Sequence, residues 1–290
     1  MNVKSPLYRR GALLVAASAC LAVSVGCAMQ EAASTSPLLQ AGAAYVALGS
    51  SYAAGAGIGP LQPGSPPRCQ RTTNNYASLL ARRFELALTD ASCGGAMTAH
   101  LLGPWNELPA QLESVTAAAR VVTVTVGGND LDYMGALFGG SCRAGVVSRP
   151  GPCPPVVQPS AAQYQKLESA LNAIAREISR RAPQARVVFV QYVAVVPDNL
   201  CAATQITPED AANGRAIGRQ LALVTARVAT ANGALVLPAD ELSRDHSPCA
   251  PEPWSRGLYG GYDMQQGAPW HPAPAGHAAI AAELARLLQR

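Results

Sequence analysis

Charged and aromatic residues are scarce in this chain of 290 residues, at 14% and 5% of the sequence. The formal net charge is +4, but Lys4, Arg9 and Arg10 supply three of the positive charges. The rest of the chain has 19 basic residues against 18 acidic ones and no long run of lysine and arginine. A near-neutral chain without such a run lacks the electrostatic footprint of a nucleic-acid-binding protein, so we expect no nucleic-acid partner.

Several motifs of well-known enzyme classes are missing. The sequence has no Gly-x-Ser-x-Gly elbow, which disfavours the ordinary α/β-hydrolase arrangement. It has no Gly-x-x-x-x-Gly-Lys-Ser/Thr phosphate loop, and no dinucleotide-binding glycine motif between a strand and a helix. Cys-x-x-Cys pairs and histidines at zinc-finger spacing are also missing. We therefore expect neither a metal ion nor an organic cofactor.

The N-terminus has the pattern of an export signal. Its basic residues precede an uncharged, mostly apolar run at residues 11–26, which is short for a membrane span and is followed by small residues. We expect residues 1–27 to form a signal peptide, so that the protein is secreted or held at the cell envelope. The alternative is a retained N-terminal anchor helix.

Cys27 follows Gly26, an order that resembles the end of a bacterial lipoprotein signal, in which the cysteine is lipidated. Lipidation of Cys27 would anchor the protein to a membrane, whereas the alternative is ordinary cleavage near Ala28. Residues 28–43 are rich in alanine and serine and are expected to form a flexible linker.

Six cysteines follow the predicted signal peptide. An even number of cysteines in an exported chain indicates disulfides, but counting alone leaves their pairing open. The six are Cys69, Cys93, Cys142, Cys153, Cys201 and Cys249.

Short apolar runs alternate with longer amphipathic segments over residues 44–290. The alternation predicts one domain with a parallel sheet covered by helices on both faces, a flavodoxin-like three-layer α/β/α sandwich with five strands. The expected strands are residues 45–48, 88–93, 120–126, 187–196 and 234–237. The expected helices are residues 75–86, 161–181, 208–232 and 275–289, with another inside 105–119, while residues 140–158 and 243–270 are expected to be irregular.

Three of the predicted strands end in turns with chemically useful groups. Ser51 follows the first strand, Gly95 the second and Asn129 the third. Functional groups of parallel sheets gather beyond the carboxyl ends of the strands, so these residues are candidates for a nucleophile and two oxyanion donors. Each residue taken alone is more often an ordinary turn residue.

Only four histidines are present. His271 is the best candidate for a base, because its loop follows the last predicted strand and can fold back over the carboxyl edge of the sheet. His277 lies on the final predicted helix and is expected to be structural, His246 is expected at the surface, and His100 has no evident partner.

Four blocks of the sequence resemble the characteristic blocks of the SGNH, or GDSL, hydrolases. The order Ser, Gly, Asn, His is the order of that family, and the match spans residues 44–288. The blocks are Tyr-Val-Ala-Leu-Gly-Ser-Ser-Tyr-Ala-Ala-Gly at 45–55, Ser-Cys-Gly-Gly-Ala at 92–96, Val-Gly-Gly-Asn-Asp at 126–130 and Trp-His-Pro-Ala-Pro-Ala-Gly-His at 270–277.

The chain is similar in particular to secreted actinobacterial lipases and esterases, which have three sequential disulfides. This likeness implies the pairs Cys69–Cys93, Cys142–Cys153 and Cys201–Cys249. The resemblance also implies that Ser51 attacks the ester carbonyl and that His271 shuttles the proton. The Ser51 N–H, the Gly95 N–H and the Asn129 side chain would bind the oxyanion.

Two positions depart from the family pattern. Ser50 stands where the family has an aspartate, and it is a rival to Ser51 as nucleophile, although the register of the block favours Ser51. Ala268 stands where the family often has an aspartate, three residues before the histidine. We expect the Ala268 backbone carbonyl to accept from His271 Nδ1–H, with Asp263 as the alternative partner.

The sequence thus predicts a monomeric ester hydrolase, an esterase or lipase whose substrate is a small-molecule or lipid ester. The alternative is a non-catalytic exported module on the same fold that binds lipids or glycans, because a fold does not guarantee its chemistry.

Overall fold

The structure, a computed structural model, describes residues 38–290. The predicted signal peptide, the predicted lipidation of Cys27 and residues 28–37 of the predicted linker lie outside the described residues. The remainder of that linker packs on the domain: Leu38 and Leu39 lie against its core, and Ala43 is buried. The domain therefore includes at least residues 38–43, ahead of the boundary predicted at Ala44.

The centre of the domain is a sheet of five parallel strands in the order β2-β1-β3-β4-β5. This is the flavodoxin-like order expected from the sequence. The central strand β3 is almost entirely buried, because β-branched residues fill both of its faces. The strands are β1 (Ala44–Gly49), β2 (Ala87–Asp90), β3 (Ala119–Thr125), β4 (Arg186–Val190) and β5 (Leu235–Leu237).

Helices connect the strands and complete the three-layer α/β/α sandwich. The pairs α2 with α8 and α5 with α6 pack against each other, and α4 also packs on α6. The helices are α1 (Ser51–Ala54), α2 (Tyr76–Phe84), α3 (Thr98–Leu102), α4 (Tyr133–Arg143), α5 (Ala161–Arg181), α6 (Pro208–Ala231), α7 (Ala239–Leu242) and α8 (Pro274–Leu288).

Three local predictions were wrong. Residues 105–119 contain only a 3-10 turn at Gln111–Ser114, and the helix of this region is the shorter α3. Helix α4 reaches Arg143 inside a segment expected to be irregular. Strand β4 ends at Val190, so the apolar run at 191–196 leaves the sheet and packs beyond its carboxyl edge.

The structure contains the disulfides Cys69–Cys93, Cys142–Cys153 and Cys201–Cys249, the pairs implied by the family resemblance. Within residues 38–290, no helix has the length and apolar composition needed to cross a membrane. The same part of the chain has no group of three or more His, Cys, Asp or Glu side chains placed to hold a metal ion.

Candidate active site

A sharp turn after β1 places Ser51 at the carboxyl edge of the sheet. Gly49 has φ +148°, and a Cβ atom there would lie 2.3 Å from the Thr125 carbonyl oxygen, so only glycine fits. The buried Gln111 side chain holds this glycine at both ends: Oε1 accepts from Gly49 N–H at 2.8 Å, and Nε2 donates to Gly49 O at 2.9 Å. Ser51 then begins the short helix α1.

Ser51 and His271 form a hydrogen-bonded pair. The distance from Ser51 Oγ to His271 Nε2 is 2.8 Å. On the other side of the imidazole, Nδ1 lies 2.8 Å from the Pro269 carbonyl oxygen. A carbonyl can only accept, so Nδ1 carries the proton and Nε2 presents a lone pair to the serine hydroxyl. A serine hydroxyl facing an imidazole lone pair is the arrangement of an activated nucleophile and its base.

The prediction that the Ala268 carbonyl orients His271 was wrong. The residue between Pro269 and His271 is Trp270, whose φ of +57° is in the left-handed region. This tight turn brings the carbonyl two residues before the histidine, rather than three, to Nδ1. Ala268 instead donates its N–H to the Ala56 carbonyl at 3.3 Å.

Asp263, the alternative partner, does not approach the imidazole. It is exposed, and its carboxylate accepts from Gln265 N–H at 2.9 Å. No carboxylate within residues 38–290 contributes to the electrostatics of His271: burial lowers its pKa to about 4, and the hydrogen bond to Pro269 opposes that shift. The imidazole is therefore neutral at pH 7.

Ser50, the rival serine, is completely buried and faces away from His271. Its Oγ lies 2.8 Å from the Tyr192 hydroxyl, which also accepts from Gly128 N–H at 3.1 Å. These bonds connect the turns after β1 and β3. Burial raises the pKa of Tyr192 to about 12, so this link carries no charge.

The predicted oxyanion residues lie on neighbouring turns. The Cys93 N–H donates to Gly49 O at 3.0 Å, which ties the turn after β2 to the turn after β1. Asn129 Nδ2 donates to the Ala96 carbonyl at 2.9 Å, directly beside Gly95, and an amide nitrogen has a second hydrogen to offer. No described residue accepts from the backbone N–H of Gly95 or Ser51.

Trp105 supports the turn that contains Gly95. A Cβ atom on Gly95, which has φ +80°, would lie 3.4 Å from the Trp105 ring. The indole is itself held between His100, stacked at 4.0 Å between ring centroids, and the Arg68 guanidinium, 4.1 Å from the ring. Behind the indole lies a cavity of about 240 Å³ whose walls include the Cys69–Cys93 disulfide.

The other three histidines make no hydrogen bond to Ser51. His277 is buried on α8, and its Nδ1 accepts from Tyr76 N–H at 3.1 Å, which joins α8 to the start of α2. His246 stacks on Trp254 at 4.2 Å between ring centroids. The Trp254 backbone makes a separate bond that does not involve the His246 ring: its carbonyl accepts from Ala273 N–H at 2.8 Å.

The sequence reasoning missed the groups that hold the site in place. These groups are Gln111, Tyr192 and Trp105, which lie outside the four blocks, so the spacing of the blocks did not point to them.

A shallow hollow of about 260 Å³ lies beside the turn that carries His271. It is lined by Gly57, Gly59 and Ala268, together with Leu61 and Met264, which are exposed at 49% and 62%. Exposed large apolar side chains beside a candidate site provide a surface for apolar groups of a ligand.

Solved structures of bacterial enzymes share this architecture. The extracellular lipase of Streptomyces rimosus superposes with a TM-score of 0.67 at 23% identity, covering 84% of this chain and 99% of that one. The phospholipase A1 of Streptomyces albidoflavus gives a TM-score of 0.64 at 23% identity, covering 85% and 99%. These likenesses show the fold, which is that of the SGNH hydrolases.

Sequence comparison identifies the family to which the chain belongs. Lipase 2 of Streptomyces coelicolor is 31% identical over 252 residues, which are 82% of this chain and 83% of that protein. The pattern of the GDSL-like lipase/acylhydrolase family matches residues 47–279. The chain belongs to this family and is an ester hydrolase.

Proposed function

We propose that this protein is an exported serine hydrolase that cleaves carboxylic esters through an acyl-enzyme on Ser51, with His271 as the general base. The observation that carries the proposal is the 2.8 Å hydrogen bond between Ser51 Oγ and the unprotonated Nε2 of His271. A nucleophile and base within hydrogen-bond reach, with the base oriented by a third group, are the signature of nucleophilic catalysis.

In acylation, His271 Nε2 takes the proton from Ser51 Oγ while the serine oxygen bonds to the carbonyl carbon of the ester. The π electrons of the carbonyl group move onto the carbonyl oxygen, which becomes the oxyanion. The intermediate collapses, the bond to the alcohol breaks, and the alcohol leaves with the proton from Nε2. Water then attacks the acyl-enzyme with the same proton transfers, which releases the acid and restores Ser51.

The negative oxygen of the intermediate needs hydrogen-bond donors. We assign this role to the backbone N–H groups of Ser51 and Gly95 and to the second hydrogen of Asn129 Nδ2. The support is that no described residue accepts from either N–H, and that the Asn129 amide is fixed beside Gly95 by the Ala96 carbonyl. Donors fixed before the reaction need no reorganisation as charge develops.

The base is part of a dyad rather than a triad. The Pro269 carbonyl orients the imidazole and fixes its tautomer, but it has no full charge to stabilise the imidazolium. The oxyanion donors therefore contribute more to stabilising the transition state of this enzyme than the orienting partner of the histidine does.

We further propose that the substrates are acyl esters with an apolar part, and that the enzyme acts as a monomer outside the cytoplasm. The exposed Leu61 and Met264 beside the histidine turn support the apolar preference. The signal-like sequence before residue 28, the three disulfides and the description of the Streptomyces rimosus relative as extracellular support export. Export leaves two fates for Cys27, lipidation or removal with the signal peptide.

Hydrolysis of a series of p-nitrophenyl esters of increasing acyl length tests the proposal. We expect burst-phase release of p-nitrophenol from the wild type, labelling by a fluorophosphonate, and loss of both in His271→Ala. His246→Ala, which changes a histidine that makes no hydrogen bond to Ser51, is the control and should keep the burst. A wild type that neither hydrolyses the esters nor reacts with the fluorophosphonate contradicts the proposed function.

A further inference from the structure

The start of helix α1 and the turn that carries His271 are joined by two adjacent hydrogen bonds. Ser51 bonds to His271, and the next residue, Tyr52, donates its hydroxyl to the carbonyl of Trp270. The turn that carries the base is thus fastened to the helix that carries the serine at two adjacent points.

The second of these bonds holds a strained residue. Trp270 has φ +57°, a conformation that a bulky residue adopts only when its surroundings enforce it. Its indole is completely buried, and Nε1 donates to Ser141 Oγ at 3.2 Å, which fixes the side chain. The hydroxyl of Tyr52 fixes the backbone, at the peptide group that joins Trp270 to His271.

The ring of Tyr52 also contacts the imidazole. The centroids of the Tyr52 and His271 rings are 4.9 Å apart, with the rings tilted by 41°. The Tyr52 ring also packs on the ring of Tyr192, with 4.2 Å between the centroids. Tyr192 is anchored by Ser50 and Gly128, so Tyr52 is a rigid support rather than a mobile side chain.

We propose that Tyr52 is a positioning residue for the base: its hydroxyl holds the turn that brings the Pro269 carbonyl to His271 Nδ1, and its ring holds the imidazole in the orientation that a carboxylate fixes in a triad. This inference rests on the proposed function, because it gives His271 the role of general base. It follows from the absence of any carboxylate at Nδ1, where a lone carbonyl on a strained turn is the only direct partner among the described residues.

Tyr52→Phe tests the inference, since it removes one oxygen and keeps the ring. The matched control is Tyr45→Phe: Tyr45 is equally buried, and its hydroxyl bonds to Thr123 Oγ1 at 2.9 Å, away from His271. Both variants lose one buried hydrogen bond and should lose a similar few degrees of melting temperature. We expect kcat of Tyr52→Phe to fall about tenfold with little change in KM, and Tyr45→Phe to keep the wild-type kcat.

The imidazole signals in proton–nitrogen magnetic resonance spectra provide a second readout that does not depend on activity. The wild type and Tyr45→Phe should show His271 protonated at Nδ1 alone, whereas Tyr52→Phe should show its signals shifted or broadened by exchange between tautomers. If either kcat or the His271 signals of Tyr52→Phe match those of Tyr45→Phe, the inference is wrong. If the wild type hydrolyses no ester, the proposed function fails, and the spectra alone then decide whether Tyr52 positions His271.

Discussion

Ser51 Oγ and His271 Nε2 lie 2.8 Å apart although 220 positions separate the two residues in the sequence. The serine begins the short helix that follows the first strand, and the histidine lies in the turn before the last helix. The two side chains therefore meet only in the folded domain.

Removal of the Asn129 amide should reduce catalysis without weakening substrate binding. We expect kcat of Asn129→Ala to fall about a hundredfold or more, the usual effect of losing one oxyanion donor, while KM changes little. Asn232→Ala is the control: this amide also donates to a backbone carbonyl, that of Val228, but at the end of α6. Equal values of kcat in the two variants would remove Asn129 from the oxyanion site.

The pH dependence of kcat/KM should show the unusual pKa of His271. Burial lowers this pKa to about 4, so the imidazole stays unprotonated, and able to accept the serine proton, well below pH 6. We expect kcat/KM for an uncharged ester to stay level from neutral pH down to about pH 5 and to fall through a limb centred near pH 4. Samples returned to pH 7 after each exposure must recover full activity. A limb centred near 6.5 would show an ordinary, solvated imidazole.

Stability should fall as the pH falls below 6.5, because burial also lowers the pKa of His277, to about 3. Both His271 and His277 are neutral in the folded protein and bind a proton once unfolded, so acid favours the unfolded state. Above the unfolded-state pKa of about 6.5 the free energy of unfolding does not change with the titration of these histidines. Between that pH and their folded-state pKa values, the free energy of unfolding falls by about 1.4 kcal/mol per pH unit for each histidine.

His277→Gln should reduce this dependence, since the Gln oxygen can accept from Tyr76 N–H without taking up a proton. Guanidinium unfolding at pH 7 and at pH 5 measures the effect. We expect the difference between the two pH values to be smaller in the variant by about 2 kcal/mol. An unchanged difference would mean that His277 already titrates normally in the folded protein.

The three disulfides should contribute to stability in the order of the loops that they close. Cys201–Cys249 spans 48 positions and Cys142–Cys153 spans 11, so chain entropy predicts losses of about 4 and 3 kcal/mol when each pair is replaced by serine. Guanidinium unfolding of the two double variants gives the comparison. His246, which stacks on Trp254, lies within the loop that Cys201–Cys249 closes. A larger loss for Cys142–Cys153 would contradict the chain-entropy argument.

The sequence was informative wherever a local pattern determined the structure. Alternating apolar runs predicted the five-stranded sheet, and the rule that functional groups gather at strand ends brought Ser51, Gly95 and Asn129 to one edge. The lack of an aspartate before His271 led us to expect a backbone carbonyl at Nδ1, and the carbonyl that lies there is that of Pro269. The predicted partner was wrong by one residue, because the left-handed turn at Trp270 is held by contacts with residues distant in the sequence: the buried indole donates to Ser141 and the carbonyl accepts from Tyr52.

The segments predicted wrongly have tertiary causes. The spacing of Leu108, Leu112 and Val115 suggested a helix, but Pro109 interrupts it and Gln111 turns inward to hold Gly49. Helix α4 includes adjacent glycines at 139 and 140, residues that usually disfavour helices. A Cβ atom on Gly140 would lie 2.7 Å from Asp210 on α6, so close packing of the two helices explains this glycine.

The position of a covalent adduct tests the central claim most directly. Wild type, Ser51→Ala and Ser50→Ala are treated with a fluorophosphonate, and tandem mass spectrometry of the peptide that contains both serines locates the phosphonyl group. We expect the group on Ser51 in the wild type and in Ser50→Ala, and no labelling of Ser51→Ala. A group on Ser50, or full labelling of Ser51→Ala, would contradict the assignment of the nucleophile and with it the pairing of Ser51 with His271.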